Sequence, residues 1–437
     1  MNGRDRPLLF RVHSRFSRLS FLLLSAGSGA FAQAPMLQDG TSALRQARLD
    51  WAQGQPPLEP SPLPSFEVGW GGAGADGIYT PLPQGEGLGS ALQGWGLGLQ
   101  GRYVHGGWSV SVTLLGLRDH ASTRGLLHRA ALAYQGESGW RLALEQTPFD
   151  WGGGLLGGGL LDGSSRSFPR LSLSTPETGI LGVRWRVETF AGRLETTPAV
   201  PEWISDRQAR LAARAAGQDP GRPRLDGALL RGRLGDWAEL GLGALSLGGP
   251  GGPSRRSQSL VEAKIRIPAL ARALGAQGAS LQVSRSAAAE GSALAWTPAR
   301  NLANLLIVWD GWDLGAEYAA AAPAPAGPSP EARLLAGFSS HGDPLGDGYW
   351  RQWTTRSLAL GMPLFLEGQG RIRLTRATAP PEDRPGGSAA WFLQAEAQWR
   401  TSTGRLGASL ASLRQEPGAQ GPHWGWSFSV FQSFRVF

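Results

Sequence analysis

The sequence predicts an all-β protein, a transmembrane antiparallel β-barrel of about 16–18 strands with a short helical insertion. Three observations predict it: an N-terminal leader typical of export, segments of about ten residues with alternating apolar and polar side chains, and an alternating aromatic C-terminal strand. The chain has 437 residues, of which 64 are Gly and none is Cys. Glycine at this level without a Gly-X-Y repeat argues against a mostly helical fold, and the absence of Cys excludes disulfides and Cys-ligated metals.

Residues 1–32 have the pattern of a secretory signal peptide. Arginines between Arg4 and Arg18 form a basic region, Leu19–Ala26 is a short apolar core, and Ala30–Ala32 is a small-x-small cleavage motif. We therefore expect cleavage after Ala32. An anchoring helix is the alternative, but this apolar core is shorter than the roughly 18–20 residues that a spanning helix needs.

The mature chain divides into two regions. Residues 33–65 are rich in Pro and Gln, contain a weak helical stretch at Thr41–Gln53, and are predicted to be an N-terminal periplasmic segment. Residues 66–437 are predicted to form the barrel, since apolar and polar side chains alternate there with a period of two. The clearest apolar faces are Trp108, Val110, Val112 and Leu114; Trp140, Leu142 and Leu144; Leu181, Val183, Trp185 and Val187; Val261, Ala263, Ile265 and Ile267; Ile372 and Leu374; and Trp391, Leu393, Ala395, Ala397 and Trp399.

An antiparallel sandwich would show the same alternation, because one face of each sheet meets the core and the other meets water. A membrane barrel is favoured because the leader exports the chain and because Trp108, Trp391 and Trp399 stand at strand ends, where an aromatic girdle lies. The polar faces also carry charged pairs, as a water-filled lumen permits.

The C-terminal strand indicates the outer membrane of a Gram-negative-type cell. Residues Trp424–Val430 alternate aromatic and small side chains, and the chain ends at Phe437, as in the signal read by the barrel assembly machinery. In a regular strand Phe437 and Phe434 would point to opposite faces, so a bulge or a bent last residue is needed for both to match the signal.

A longer insertion interrupts the alternation at Pro198–Pro223. Ser205 is a good N-cap and Gly217 can end a helix, so a helix is predicted over Ser205–Ala216. Three arginines then share one helix face: Arg207, Arg210 and Arg214. The segment Pro323–Pro330 is predicted to be a Pro-rich loop.

Motifs for catalysis are missing from the sequence. There is no His-Glu-x-x-His and no Gly-x-Ser-x-Gly, and the glycine-rich Trp151–Gly159 lacks the Lys-Ser/Thr and the βαβ context of a phosphate loop. We expect no enzyme activity, metal, cofactor or nucleic-acid partner, although a Ser–His pair assembled from distant strands stays open.

Several short segments resemble the Wzi-type capsule assembly proteins. Glu145–Gly154 is similar to a strand followed by a Trp-Gly-Pro-Gly-like turn, and Ser164–Leu171 contains the aromatic-Pro element Phe168-Pro169 that follows it in the family. Later segments with the same likeness are Phe190–Glu195, Leu225–Arg233, Leu314–Tyr318 and His341–Gly346. Gly153-Gly154 stands where the family tends to have Pro-Gly.

The resemblance implies an eighteen-stranded outer-membrane barrel that acts as a surface lectin for capsular polysaccharide or exopolysaccharide. Many such polymers are acidic, Arg binds carboxylates through two parallel hydrogen bonds, and aromatic rings suit the C–H faces of sugars. The candidate binding residues combine both chemistries in long loops: Trp151, Arg166 and Arg170; Arg207, Arg210 and Arg214; and Tyr349, Trp350 and Arg351.

Two other functions are compatible with the sequence. A porin-like channel for small solutes or sugars would require an inward-folded loop with acidic residues facing an arginine ladder. An adhesin or phage-receptor-like barrel would require no carbohydrate specificity.

Overall fold

The strands of this computed structural model form one closed antiparallel barrel. The structure describes residues 48–54, 65–76, 94–118, 123–147, 151–152, 168–193, 224–248, 256–288, 300–321, 339–340, 343–344, 354–366, 368–378, 389–401, 404–418 and 421–435. Neighbouring strands pair in chain order, and the last strand pairs with the first. Two short strands, β6 and β7, pair with successive parts of β8 and together occupy one place in the order of strands around the barrel. The barrel therefore has eighteen strands. The predicted fold class is confirmed.

The strands have the following bounds: β1 Ser65–Asp76, β2 Gly94–His105, β3 Trp108–Arg118, β4 Thr123–Gln135, β5 Arg141–Gln146, β6 Arg170–Ser174, β7 Thr178–Ile180, β8 Val183–Arg193, β9 Arg224–Leu234, β10 Ala238–Gly248, β11 Arg256–Arg266, β12 Gly278–Ala288, β13 Arg300–Val308, β14 Asp313–Ala321, β15 Ser339–Ser340, β16 Asp343–Pro344, β17 Thr354–Leu364, β18 Gly368–Thr378, β19 Ala389–Thr401, β20 Gly404–Gly418 and β21 Gly421–Arg435. The pair β15–β16 forms a separate two-stranded sheet.

Two short helices accompany the strands in the part of the chain that the structure describes. Helix α1 covers 48–53, within the predicted weak helical stretch, and helix α2 covers Pro268–Ala273. None of the described helices is long and apolar enough to cross a membrane. Ile267 was predicted to be the last outer-facing residue of the strand that contains Val261. The strand ends one residue earlier, at Arg266, because Pro268 starts α2. Ile267 remains on the outer side, where it packs against the cluster of Ala271, Ala279 and Ile307.

The two ends of the barrel differ in their connections. At one end, here called the short-turn end, tight turns join strands such as β2 to β3 through Gly106-Gly107 and β9 to β10 through 235–237. The start of β1 and the end of β21 are at this same end. The opposite, long-loop end has the longest connections, which cover 147–169, 194–223 and 322–353.

The predicted faces of the strands are confirmed on β3, β11, β18 and β19. Trp108 is 51 % exposed, and the apolar residues Val261 and Ile372 are also exposed. Their polar neighbours Glu262 and Arg371 are buried. An exposed apolar surface of this extent is stable only against lipid, so the outer face is built for a bilayer.

Exposed aromatic side chains mark both borders of this apolar surface. At the short-turn end they are Trp108, Tyr134, Trp140, Trp237, Trp312 and Phe365. Trp399 packs against Phe365 with a centroid distance of 6.0 Å, and Trp391 lies at the long-loop end of the same strand. Aromatic rings at two levels are the arrangement of an interfacial girdle, as predicted from the strand-end tryptophans.

Several predictions fall outside the described residues. These are the signal peptide at 1–32, the helix Ser205–Ala216, the Pro-rich loop Pro323–Pro330 and the phase of Phe437. Nearby, Val430 and Phe434 are exposed and Ser433 is buried, so the described end of β21 alternates as expected.

Replacing Ala395 with Arg should lower the free energy of unfolding by about 2–4 kcal/mol, the cost of arginine at the bilayer midplane. Ala395 lies midway along β19 on the outer face and pairs with Ile372 and Leu410, both exposed. Urea unfolding of the barrel in lipid vesicles measures the change.

The matched control is Ser409→Arg, because Ser409 precedes Leu410 and pairs with Glu396 on the inner face. An arginine there has a carboxylate opposite it, so the loss should be below about 1 kcal/mol. Gln394 is a poorer control, since its side-chain oxygen accepts a hydrogen bond from Arg373 Nη1 at 3.2 Å. Equal losses for Ala395→Arg and Ser409→Arg would contradict the assignment of the two faces.

Candidate functional site

A short piece of the connection after β5 lies inside the barrel. The backbone N–H of Gly152 donates to Glu262 Oε2 at 3.1 Å, and Ser284 Oγ donates to the Gly152 carbonyl at 2.6 Å. Glu262 is on β11 and Ser284 is on β12, several strands away from β5. Trp151 is only 3 % exposed. The pair Trp151-Gly152, called here the lumenal segment, therefore lies inside the barrel against the inner wall formed by β8, β11 and β12.

Three aromatic rings fix the lumenal segment against the wall. The Trp151 and Phe190 centroids are 5.2 Å apart, and those of Phe168 and Phe190 are 6.0 Å apart. Glycine makes room for both phenylalanines. A Cβ atom at Gly192 would lie 2.7 Å from the Phe168 ring, and one at Gly227 would overlap the Phe190 ring. Any larger side chain at these two positions would displace the rings.

A buried ion pair joins the two ends of the same connection. Arg170, the first residue of β6, is 4 % exposed and lies 3.3 Å from Glu145 on β5. Arg170 also donates to the carbonyl of Thr147 at 2.7 Å and to Thr147 Oγ1 at 3.0 Å. Glu145 additionally accepts hydrogen bonds from Arg141 and Ser172. The Glu145–Arg170 ion pair, called here the ionic anchor, therefore holds both ends of the β5–β6 connection together.

A second charged cluster holds Glu262, the acceptor of the lumenal segment. Arg231 Nε lies 3.4 Å from Glu262 Oε1, and Arg231 Nη1 lies 3.3 Å from Glu188 Oε1. Arg231 Nε is also 3.8 Å from Glu239, which accepts from Lys264 Nζ at 3.1 Å. One guanidinium is therefore shared by three carboxylates that come from β8, β10 and β11.

The inner wall from β13 to β19 carries buried charges of both signs, since Asp313 and Glu317 are buried there as well as three arginines. Arg300, Arg371 and Arg373 are each at most 8 % exposed. Arg300 Nη2 donates to Thr355 Oγ1 at 3.3 Å, and Ser357 is hydrogen-bonded to Thr375 at 2.9 Å. The sequence predicted polar faces that meet water in a lumen. The faces are polar as predicted, but along these strands they are excluded from solvent, so this part of the interior is filled.

Helix α1 covers part of the interior at the short-turn end. Ala52 forms a buried cluster with Leu306 and Val308. The guanidinium of Arg233 lies 5.3 Å from the Trp51 ring centroid, a cation–π contact. The N-terminal segment thus reaches the turns of β9–β10 and β13–β14, although its sequence pattern predicted only a weak helix.

The connections that carry the candidate binding residues all emerge at the long-loop end. They are the β5–β6, β8–β9 and β14–β17 connections. Trp151 lies in the β5–β6 connection as predicted, but it is buried in the lumen. Arg170 was predicted in the same loop, and this is wrong because it is the first residue of β6 and is buried. The other candidates lie outside the described residues: Arg166, Arg207, Arg210, Arg214, Tyr349, Trp350 and Arg351.

The sequence did not single out Glu262 or Phe190, which anchor the lumenal segment. The only feature of the local sequence that could have identified these two residues is that each is a charged or aromatic side chain on the inward-facing phase of its strand. Across the described residues, no group of three or more His, Asp or Glu side chains could hold a metal ion.

Comparison with known proteins supports the architecture. Neither a protein-family model nor a curated protein matches this chain. Among solved structures, the chain is similar to Wzi of Escherichia coli, with a TM-score of 0.62 and 15 % identity over 89 % of this chain and 86 % of that one. The chain has the outer-membrane β-barrel fold. Wzi is described as a carbohydrate-binding barrel involved in group 1 capsule assembly.

Barrels of Pseudomonas aeruginosa are similar at a lower level. OccK2 matches with a TM-score of 0.48 and 15 % identity over 85 % of this chain and 98 % of that one. OprD matches with a TM-score of 0.48 and 12 % identity over 85 % and 95 % of the two chains. At these identities the similarity to all three proteins concerns the fold alone.

Proposed function

We propose that this protein holds an acidic capsular polysaccharide or exopolysaccharide at the surface of a Gram-negative-type cell, without catalysis. The observation that carries the proposal is the filled interior. Polar side chains of the inner wall are buried, and the lumenal segment is hydrogen-bonded inside the barrel to Glu262 and Ser284. A barrel filled in this way is suited to anchoring loops in the membrane rather than to conducting solutes.

The two ends of the barrel give the orientation for this role. Outer-membrane barrels have short turns in the periplasm and long loops outside the cell. In that orientation α1 faces the periplasm, and the β5–β6, β8–β9 and β14–β17 connections face the medium. In this proposal, cleavage after Ala32 releases the mature chain and the barrel assembly machinery recognises its C-terminal strand. N-terminal sequencing should then begin at Gln33.

The chemistry of the long-loop end suits an acidic polymer. The three candidate groups bring Arg side chains, whose guanidinium forks bind carboxylates, together with aromatic rings. Because Trp151 and Arg170 are buried, we assign them the role of positioning the β5–β6 connection. Direct contact with the polymer falls to Arg166, to the triplet Arg207, Arg210 and Arg214, and to Tyr349, Trp350 and Arg351. The description of Wzi as a carbohydrate-binding barrel supports the same ligand class.

Neutralising the arginine triplet should increase the fraction of polysaccharide shed into the medium. In a strain deleted for the gene, a plasmid supplies either the natural protein or Arg207→Gln/Arg210→Gln/Arg214→Gln, and cell-bound and released polymer are measured. Since each charge near an anionic surface is worth about 1 kcal/mol, removing three should weaken capture by roughly 100-fold.

Three outcomes make this test decisive. Lysine at the same three positions keeps the charge and should retain most of the polymer. Normal attachment in the glutamine variant, at equal barrel abundance in the outer membrane, would exclude capture by the triplet. Normal attachment in the deletion strain itself would refute the proposed function.

A porin-like channel is the second candidate, and the structure gives it one specific observation. An inward segment lies near acidic residues, and another part of the inner wall carries buried arginines such as Arg371 and Arg373. Conductance in planar bilayers separates the two candidates, because an anchor should give no stable channels.

A further inference from the structure

The outer face of the barrel carries a row of basic and aromatic side chains close to the long-loop end. Tyr318 pairs with Arg356, Arg356 with Arg376, Arg376 with Trp391, and Trp391 with Arg414. These five residues come from five neighbouring strands, β14, β17, β18, β19 and β20, and all are exposed. We call them the external basic row.

The row lies at the border of the lipid-facing surface. Two residues nearer the middle of the barrel, the exposed side chains are Leu358 on β17, Leu374 on β18 and Leu393 on β19. Arg356 is the third residue of β17, and its partner Arg376 is the third from the end of β18. The row therefore stands at headgroup level, just beyond the apolar surface.

Two guanidinium groups directly opposite each other on one face of a sheet repel each other and destabilise the pairing, so an anion bound between them would be stabilising. Among the described residues, no carboxylate forms an ion pair with Arg356 or Arg376. Their contacts are instead with rings: the Arg356 Cζ atom lies 6.0 Å from the Tyr318 centroid, and the Arg376 Cζ atom lies 5.4 Å from the Trp391 centroid.

Other exposed arginines do have carboxylate partners. Arg224 on β9 faces outward at the long-loop end and pairs with Asp226 at 2.7 Å. Arg184 is an exposed arginine on the inner phase of β8 at the short-turn end, and it pairs with Asp236 at 3.1 Å. The lack of a protein anion is thus a property of the Arg356–Arg376 pair rather than of every surface arginine on this barrel.

We propose that the external basic row binds the phosphate groups of a phosphorylated glycolipid of the outer leaflet. Two guanidinium forks that face the same space can share one phosphate through charge-assisted hydrogen bonds. The acyl chains of the lipid lie along Leu358 and Leu374, and Tyr318 and Trp391 border the headgroup. This inference depends on the outer-membrane placement in the proposed function, but it concerns the outer wall and not the polysaccharide loops.

The test is binding of bisphosphorylated lipid A to the detergent-purified mature protein, measured by native mass spectrometry. Arg356→Gln/Arg376→Gln should weaken binding about 30-fold, as expected for the loss of two charges near an anionic headgroup. Arg184→Gln/Arg224→Gln removes the same number of exposed charges and should change binding less than threefold. Arg356→Lys/Arg376→Lys keeps the charge and checks that any loss in the glutamine variant is electrostatic.

Further control experiments identify the source of the phosphate and verify that each variant is folded. Lipid A without phosphate should bind no better to the natural protein than to the glutamine variant, and inorganic phosphate should not displace the lipid. Each variant is first checked for heat-modifiable mobility, which reports a folded barrel. Equal lipid binding by the two glutamine double variants, or displacement by inorganic phosphate, would overturn the proposal, whereas polysaccharide attachment is expected to stay normal in all of them.

Discussion

Replacing Glu262 with alanine is expected to open a conducting path through a barrel whose lumen is otherwise blocked. Glu262 is 2 % exposed and accepts the hydrogen bond from the Gly152 N–H at 3.1 Å. Without this carboxylate the buried N–H loses an acceptor, which costs about 1–3 kcal/mol and favours release of the lumenal segment from the wall. Planar bilayers should then show channel openings that the natural protein lacks.

Glu188→Ala is the matched control for this experiment. Glu188 also binds Arg231, at 3.3 Å, so both variants remove one carboxylate from the same guanidinium. Of these two carboxylates, Glu262 is the one that accepts a hydrogen bond from the lumenal segment in the described residues. Glu188→Ala should therefore stay closed. Conduction by the natural protein would favour the porin-like candidate, and conduction by both variants would show that the cluster, not the segment, controls the lumen.

The architecture was predictable because its signal is local. Side chains in a strand alternate between two faces, so a run such as Arg371, Ile372, Arg373 and Leu374 shows its inner and outer positions without knowledge of its neighbours. The structure has this alternation, with the arginines buried and the apolar residues exposed. The end of the strand that contains Val261, one residue earlier than predicted, has a local cause as well, since Pro268 begins a helix.

The lumenal segment was not predictable in the same way. The Gly152–Glu262 hydrogen bond joins residues 110 positions apart, and Gly152–Ser284 joins residues 132 apart. No periodicity encodes contacts of this kind, so Trp151 was interpreted as an exposed ring for sugar binding. The register does contain a hint, because Phe190 pairs with Gly227, and a large inward ring next to a glycine indicates close packing inside the barrel.

The largest loss of stability is expected from Glu145→Ala, about 3–5 kcal/mol, the cost of removing one partner from a buried ion pair. Glu145 is 8 % exposed and Arg170 is 4 % exposed, at 3.3 Å from each other. The substitution leaves the Arg170 charge buried without the nearest carboxylate. Because Arg170 also holds Thr147, the ends of the β5–β6 connection should loosen together. Urea unfolding in vesicles measures the loss, and limited proteolysis reports the connection.

The double variant Glu145→Leu/Arg170→Met separates the charge effect from a packing effect. Replacing both partners of a buried pair with apolar side chains of similar volume is often neutral, so the double variant should regain most of the lost stability. Its connection should nevertheless remain sensitive to protease, because a methionine side chain cannot donate to the Thr147 carbonyl that Arg170 contacts at 2.7 Å. If Glu145→Ala cost less than about 1 kcal/mol, the pair would be a solvated one and the ionic anchor would not exist.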